Sequence, residues 1–556
     1  MTVQASAGRL GMDVCLAPAV ALLLGPSARR GMAKRNIFRR HPKTCLWLSL
    51  SAFVLALVGI VSVSVAWCGQ PEPTAPPKYG IVIDAGSSHS KLIIYQWPGD
   101  KQNGTGIVTE TSSCSVKGPG ISSYEDDPLD AGASLKECLK KAEHTIDSRK
   151  HKDTPLFLGA TAGMRLLQLK DSDKSKNILK AVEDEMLRSR FKFRHARILT
   201  GVEEGASGWI TVNYIKKNFY KVTGPTWLPE FFRPDDPKTD GALDLGGAST
   251  QITFVPKDTA DRGTMHLRLF GYDYNVYTHS FLCYGRDQAS YKLLDHLIQM
   301  NYNETQGTAS NPCLNEGFSF TKRMDFIYES PCTASSAPAW YKPDKTVTFV
   351  GTGNSNGCRA AVETLFNLSS CSENPECSFN GVYQPNVFRS YMAFAAFYYT
   401  ISGLNLTSEE GMVQLEEFEN GLAEFCNKTW QEIKLQEPKQ KDERLREVCF
   451  NGHLVHTLLL AGYKFDGNSF ENIRFLKKVN GMSLGWTLGF MLNQTNNIPA
   501  EEIPPKALPL EGVILLLLLF SVLLLLALAA CFLLHFRGSP SPANSPTSPT
   551  STQIPE

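Results

Sequence analysis

The chain has 556 residues, with 56 Lys+Arg against 55 Asp+Glu and a formal net charge of +1. That balance excludes a generally basic surface for nucleic acid and an acidic solvating chain alike. Hydrophobic residues make up 42% and charged residues 20%, the composition of a folded protein and not of a disordered one.

The first predicted element is an uncharged apolar run, Cys45 to Trp67, preceded by residues 1–44 with Arg29, Arg30, Lys34, Arg35, Arg39, Arg40 and Lys43. A second uncharged run, Gly512 to Leu534, leads into residues 535–556, a Ser/Pro-rich tail predicted to be disordered. Each run suffices for a helix across a bilayer, which takes roughly 20 apolar residues. A cleaved signal peptide fits the first run badly, because 44 residues precede it and no A-x-A site follows. Basic residues precede the first span, GQPEPTAPPK follows it, and Arg537 follows the second. The positive-inside rule then puts residues 1–44 and 535–556 in the cytosol and the middle of the chain outside. The expectation is a multi-pass plasma-membrane protein with two helices, 45–67 and 512–534, in the lipid bilayer.

Roughly 440 residues lie between the spans, enough for two sizeable cores. All six N-x-S/T sequons fall there, at Asn103, Asn303, Asn367, Asn405, Asn427 and Asn493. So do ten of the 14 cysteines: Cys114, Cys138, Cys283, Cys313, Cys332, Cys358, Cys371, Cys377, Cys426 and Cys449. An even set in an oxidising compartment suggests five disulfides, and no Cys/His spacing supports a zinc cluster. Cys45 and Cys531 lie in the apolar runs and Cys68 at an edge, where lipidation or a free thiol is expected over a bridge.

Residues 79–97, YGIVIDAGSSHSKLIIYQW, predict a strand, a tight turn and a second strand. Gly86 permits the turn and lets backbone N–H groups approach an anion, while Ser87, Ser88 and Ser90 add hydroxyls. Asp84, at the strand end, is suited to a divalent cation, held directly or through water. The same grammar recurs at residues 241–255, GALDLGGASTQITFV, around Asp244, Gly246, Gly247 and Ser249. One such hairpin means little. Two copies suggest a duplicated domain in which two phosphate-binding hairpins face across a cleft, each with one carboxylate for a metal–phosphate complex.

Between the hairpins, FLGATAGMRLL (157–167) predicts a strand, a small-residue loop and a helix, whose Arg165 is placed to meet phosphate or to pair with an acid. Residues 196–215, ARILTGVEEGASGWITVNYI, predict a strand, a turn at Gly201 and a helix. Glu203 and Glu204 stand about 100° apart on a helix, so at most one points into a given site. Lying between two phosphate loops, one of them is a candidate general base for attack by water.

The ordered set DAGSSH (84–89), GATAGMR (159–165), EEG-x-x-GW (203–209), ALDLGGASTQ (242–251), CSFNGVYQP (377–385) and GWTLGFMLN (485–493) resembles the ecto-nucleoside triphosphate diphosphohydrolases, cell-surface apyrases with a span at each end. The resemblance implies a two-lobed actin/hexokinase-like α/β ectodomain with nucleotide in the cleft, lobe I comprising 79–200 with 477–500 and lobe II 201–476. It implies that Asp84 and Asp244 hold Ca²⁺ or Mg²⁺, largely through water, and that Ser87, Ser88, His89, Gly246, Gly247 and Ala248 line the phosphates. Glu204 would be the base, with Ser249 and Gln251 placing the attacking water. Loosely, Tyr398, Tyr399 and Arg444 would hold the nucleoside base. The implied disulfides are Cys114–Cys138, Cys283–Cys332, Cys313–Cys358, Cys371–Cys377 and Cys426–Cys449. Implied partners are extracellular nucleotides such as ATP, ADP, UTP and UDP, and a second copy of the chain. The physical logic agrees, since phosphoryl transfer needs positioning and charge neutralisation and no protein nucleophile.

Two positions depart from the family pattern: Val202 stands where Gln is usual before the Glu pair, and Ser90 where Thr is usual. Trp486 is expected to pack between the returning helix and lobe I. A competing pattern, GNSNG at 353–357, matches G-x-S-x-G and, with His453 or His456, would make a serine hydrolase. A nucleotide-binding surface protein without catalysis is a further alternative, disfavoured because Asp84, Glu204, Asp244 and Ser249 are all present. No G-x-x-x-x-G-K-[ST] occurs, which excludes a P-loop NTPase.

Overall fold

The computed structural model describes residues 42–70, 75–223, 230–232, 238–257, 262–371, 376–502 and 509–537. Most of the two predicted cytosolic ends, residues 1–41 and 538–556, lie outside the described residues. The chain divides into a compact unit of Ala75–Glu502 and a second unit made of its two terminal segments. In the terminal unit the apolar runs form helices Pro42–Cys68 and Leu510–Arg537, which pack on one another with the Phe520 ring against Gly59. Each contains a stretch long and apolar enough to cross a membrane, Leu46–Cys68 and Leu510–Leu533.

The central unit is a mixed α/β fold. Strands β1 (Lys78–Ala85), β2 (Ser90–Trp97), β3 (Thr109–Ser115), β4 (Pro155–Ala160) and β5 (Lys192–Ile198) form a sheet in the order β3-β2-β1-β4-β5. β1 pairs antiparallel with β2 and parallel with β4. Ile81, Val82 and Ile83 are all buried, so both faces of β1 are covered; this is why its sequence is a continuous apolar run and not an alternation. Helix α1 (Ala162–Lys170) follows β4 and helix α2 (Gly201–Ile215) follows β5.

The second sheet repeats this plan. β6 (Gly241–Leu245), β7 (Ser249–Phe254), β8 (Thr264–Leu269), β9 (Tyr272–Leu282), β10 (Tyr391–Ala395) and β11 (Ile473–Phe475) run in the order β8-β9-β7-β6-β10-β11. β6 pairs antiparallel with β7 and parallel with β10, as β1 does with β2 and β4. In both sheets, therefore, a central strand carries an aspartate one residue before its end, with a hairpin on one side and a crossover on the other. Helix α3 (Arg286–Asn301) follows β9, and α4 (Trp486–Thr495) returns late in the chain.

Helix α2 is buried along the whole of Glu204–Ile215, because it lies on β6, β7 and β9 and against α4. α4 packs in turn on β1 and β2. The two helices form a double layer between the sheets, so close that the backbone of Gly489 meets the Ser207 carbonyl. One apolar core, including Val82, Phe157, Trp209, Phe394 and Trp486, runs through this layer.

Beyond β9 a further three-stranded sheet and several helices enlarge the second half, and four disulfides staple it: Cys283–Cys332, Cys313–Cys358, Cys371–Cys377 and Cys426–Cys449. Cys114–Cys138 ties edge strand β3 to the helix Lys136–Thr145. These are the five pairs that the family pattern implied. Cys68 differs from expectation in being disulfide-bonded as well, while Cys531 keeps its thiol.

Candidate active site

The two Asp-x-Gly hairpins close by the same turn. Gly86 N–H donates to the His89 carbonyl at 3.1 Å, and Gly246 N–H to the Ser249 carbonyl at 2.9 Å. The hairpins face each other closely. A Cβ on Gly247 would lie 2.6 Å from Ser87 Oγ, on the opposite hairpin, and 2.6 Å from Asp287 Oδ2 at the start of α3. Ser87 is half-buried, Ser88 and His89 are exposed and joined by an Oγ···Nδ1 contact of 3.1 Å, and Ala248 is buried. Ser90 does not add a hydroxyl to the loop: it is buried, and its Oγ has no hydrogen-bond partner among the described residues.

Three carboxylates gather behind the hairpins. Burial pushes Asp84 up to about 6, against the opposing pull of a hydrogen bond from Trp486 Nε1 at 3.0 Å and of the Lys91 charge. Burial, with the nearby Glu204 and Asp84, raises Asp244 well above the carboxylate range. Burial pushes Glu204 up to about 7, offset in part by Arg165 and reinforced by Asp84. Arg165 is the one cation hydrogen-bonded to any of the three among the described residues.

Glu204 faces inward from the first turn of α2. Its Oε2 accepts from Arg165 Nη2 at 2.5 Å and lies 3.3 Å from Gln251 Nε2. Arg165 Nη2 also donates to Ser249 Oγ at 3.1 Å, and Gln251 Nε2 donates to Ser249 Oγ at 2.7 Å and to Ser280 Oγ at 2.9 Å. Glu203 turns away. It closes a capping box with Thr200 at the start of α2 and pairs with Arg197 at 2.6 Å. Although burial opposes this, the Arg197 and Thr200 donors hold Glu203 down to about 2.

The structure thus brings together Asp84, Ser87, Glu204, Asp244, Gly247, Ser249 and Gln251. The residues assigned loosely to the base stand apart from this network. Tyr398 and Tyr399 meet edge to face at 5.4 Å, Tyr399 is half-exposed beneath Lys477, and Arg444 is exposed on the short helix Asp442–Leu445. A cavity of about 400 Å³ opens beside Asp287, lined by Arg286, Tyr291, Lys322, Arg446 and Glu447. Sequence reasoning passed over it, since these residues lie on three separate segments and share no motif.

Two further residues were missed or misjudged. Trp486 packs against Phe490 and under Gly159, yet its indole N–H also reaches Asp84, 402 positions away. Ser280, on β9, meets Gln251 through the β7–β9 register. The helical motif around Trp486 was a usable signal; for Ser280 there was none.

The serine-hydrolase pattern places Ser355 at a strand-to-helix turn, with Oγ 3.1 Å from His453 Nε2. The pair lacks the rest of the machinery. His453 is 1% exposed, its Nδ1 has no acid partner, and burial holds its pKa down to about 3. Cys358 and Cys449 approach His453, but both are in disulfides and offer no thiolate to a metal.

Residues 72–507 match the GDA1/CD39 (nucleoside phosphatase) family, and the chain belongs to it. Similar proteins include ectonucleoside triphosphate diphosphohydrolase 2 of Mus musculus, 44% identical over 88% of this chain and 97% of that one. Ectonucleoside triphosphate diphosphohydrolase 8 of Gallus gallus is 45% identical over 83% of this chain and 90% of its own length. Ectonucleoside triphosphate diphosphohydrolase 3 of Homo sapiens is 41% identical over 84% and 87% respectively. Among solved structures, nucleoside triphosphate hydrolases from Neospora caninum share the fold at a TM-score of 0.57 and 16% identity, over 81% of this chain and 97% of that one.

Proposed function

We propose that the protein is a cell-surface apyrase, which removes terminal phosphates one at a time from extracellular nucleoside tri- and diphosphates (ATP, ADP, UTP, UDP) to leave the monophosphate. The observation that carries this reading is the group of three carboxylates, buried Glu204 with half-buried Asp84 and Asp244, behind two facing glycine hairpins. The central unit is read as a duplicated actin/hexokinase-like ectodomain, with lobe I formed by 79–200 and 477–500 and lobe II by 201–476. The terminal helices anchor it in the plasma membrane, with both ends in the cytosol and the six sequons carrying glycans outside.

Half-buried carboxylates with so few donors suit a hard divalent cation. Asp84 and Asp244 would hold Ca²⁺ or Mg²⁺, largely through water. When bound, the ion neutralises charge on the phosphates. The remaining work falls to the chain. Gly246 closes the turn that presents the backbone N–H groups of Gly247 and Ala248, and these, with the side chains of Ser87, Ser88 and His89, bind the phosphate oxygens. Ser249 and Gln251 place a water, and Glu204 takes its proton as the water attacks phosphorus. Tyr398 or Tyr399 stacks on the nucleoside base, with Arg444 on its other face.

Phosphate release by intact expressing cells, given ATP and then ADP with Ca²⁺ or with EDTA, tests this reading. Metal-dependent release from both is expected, and lost with Glu204→Ala at unchanged surface expression. Release that survives EDTA points instead to the Ser355–His453 pair. No release, with protein present at the surface, leaves a binding protein.

A further inference from the structure

The hydrogen bonds behind the hairpins have a direction. A serine hydroxyl has one proton to donate and two lone pairs to accept with. Arg165 Nη2 at 3.1 Å and Gln251 Nε2 at 2.7 Å both donate to Ser249 Oγ, so its lone pairs are taken and its proton is left to donate outward. The Gln251 nitrogen is set by its neighbours, since Glu204 Oε2, Ser249 Oγ and Ser280 Oγ all surround it within 3.3 Å. Gln251 Oε1 is therefore the end free to accept. Arg165 likewise occupies Glu204 Oε2, which leaves Oε1 as the open acceptor.

Two open acceptors, on Glu204 and Gln251, match the two protons of one water, and a water so held keeps a lone pair for phosphorus. Gly201 makes the arrangement possible. A Cβ there would strike the Ser280 side chain and lie 2.5 Å from Arg165 Nη1, so only glycine admits both groups behind Glu204.

We propose that Arg165 and Ser280 are positioning residues, a clamp that turns Glu204, Ser249 and Gln251 so that the free acceptors of Glu204 and Gln251 and the hydroxyl proton of Ser249 converge on the attacking water. This rests on the hydrolase reading above, with Glu204 as base. Neither residue touches the substrate. Arg165 turns its Nη2 to Glu204 and Ser249, and Ser280 lies behind Gln251. Both act on the chemical step and leave nucleotide binding alone.

Full-length variants in membranes of expressing cells, assayed with ATP, test the clamp. Arg165→Ala is expected to lower kcat about 100-fold with KM within about twofold, the scale of a misplaced reacting group. Added guanidinium should restore part of the rate, and Arg165→Lys should fall between. Ser280→Ala is expected to lower kcat about tenfold at constant KM. A raised KM at unchanged kcat would make Arg165 a phosphate ligand and overturn the clamp. If Arg165→Ala does not reach the surface, Arg165→Lys and Ser280→Ala decide: normal kcat in both overturns the proposal. Glu204→Gln separates the two readings. An inactive Glu204→Gln beside normal clamp variants refutes only the clamp, whereas an active Glu204→Gln removes the base itself.

Discussion

The two hairpins have the same backbone and do different work. From Ile81 to Ser87 and from Gly241 to Gly247 the order of buried and half-buried positions is identical, and both turns close on the carbonyl three residues after the glycine. Past the turn they diverge. The first carries Ser88 and His89 into solvent, while the second carries Ala248, Ser249, Thr250 and Gln251 inward. Their aspartates differ as well: Trp486 donates to Asp84, and no side chain donates to Asp244 among the described residues. The cause is what covers each sheet. Helix α2, with Glu204 on its first turn, lies on the second hairpin's strands, so Glu204, Ser249 and Gln251 collect there. The two hairpins share one turn, and the asymmetric packing of one helix sets Glu204 against only one of them.

That asymmetry sets the size of each expected effect. Glu204→Gln is the largest. It removes the base and is expected to cost about 10³-fold or more in kcat, with the ectodomain folded as judged by thermal unfolding. Next is the contact between the hairpins. Gly247→Ala places a methyl 2.6 Å from Ser87 Oγ and Asp287, whereas at Gly246 the nearest atom lies 3.3 Å away. Gly247→Ala should therefore raise the KM for ATP well beyond Gly246→Ala in the same assay. Positions 89 and 249 are equivalent in the two turns, and they sharpen the comparison. Ser249→Ala should lower kcat about tenfold or more, and His89→Ala, at an exposed site, should change it only a few-fold. Equal effects would mean that the hairpins share the chemistry.

A smaller effect concerns stability. Folding raises Asp84 to about 6 and Glu204 to about 7, and raises Asp244 too, so between about pH 4 and 7 the folded state binds more protons than the unfolded one. With EDTA, the contribution of these groups then falls as pH rises, and the Tm measured at pH 8 should gain more from added Ca²⁺ or Mg²⁺ than the Tm at pH 5. Asp244→Asn should raise the Tm in EDTA and abolish most of that gain. Trp486→Phe, which deletes one hydrogen bond to Asp84, should do least, shifting the half-saturating cation concentration a few-fold.

How far the sequence reached depends on whether an interaction is local. Asp84-x-Gly86 and Asp244-x-Gly246 were legible because a turn is built from contiguous residues, and one glycine in the right place is a strong local rule. The apolar helices and the buried strands were legible from runs of residue type. The choice between Glu203 and Glu204 was not, since both sit on the first turn of one helix, and it came through the family pattern; in the structure Glu203 pairs with Arg197 and Glu204 with Arg165. The disulfide pairs came through a family pattern, and no arithmetic on ten cysteines yields them. Ser280 and the bond from Trp486 to Asp84 were out of reach for the same reason. One meets the site through strand register and the other through a helix returning 402 positions after Asp84. Short-range chemistry is written in adjacent residues. The charge, burial and hydrogen-bond direction of the site exist only once distant segments pack together, and so belong to the tertiary structure alone.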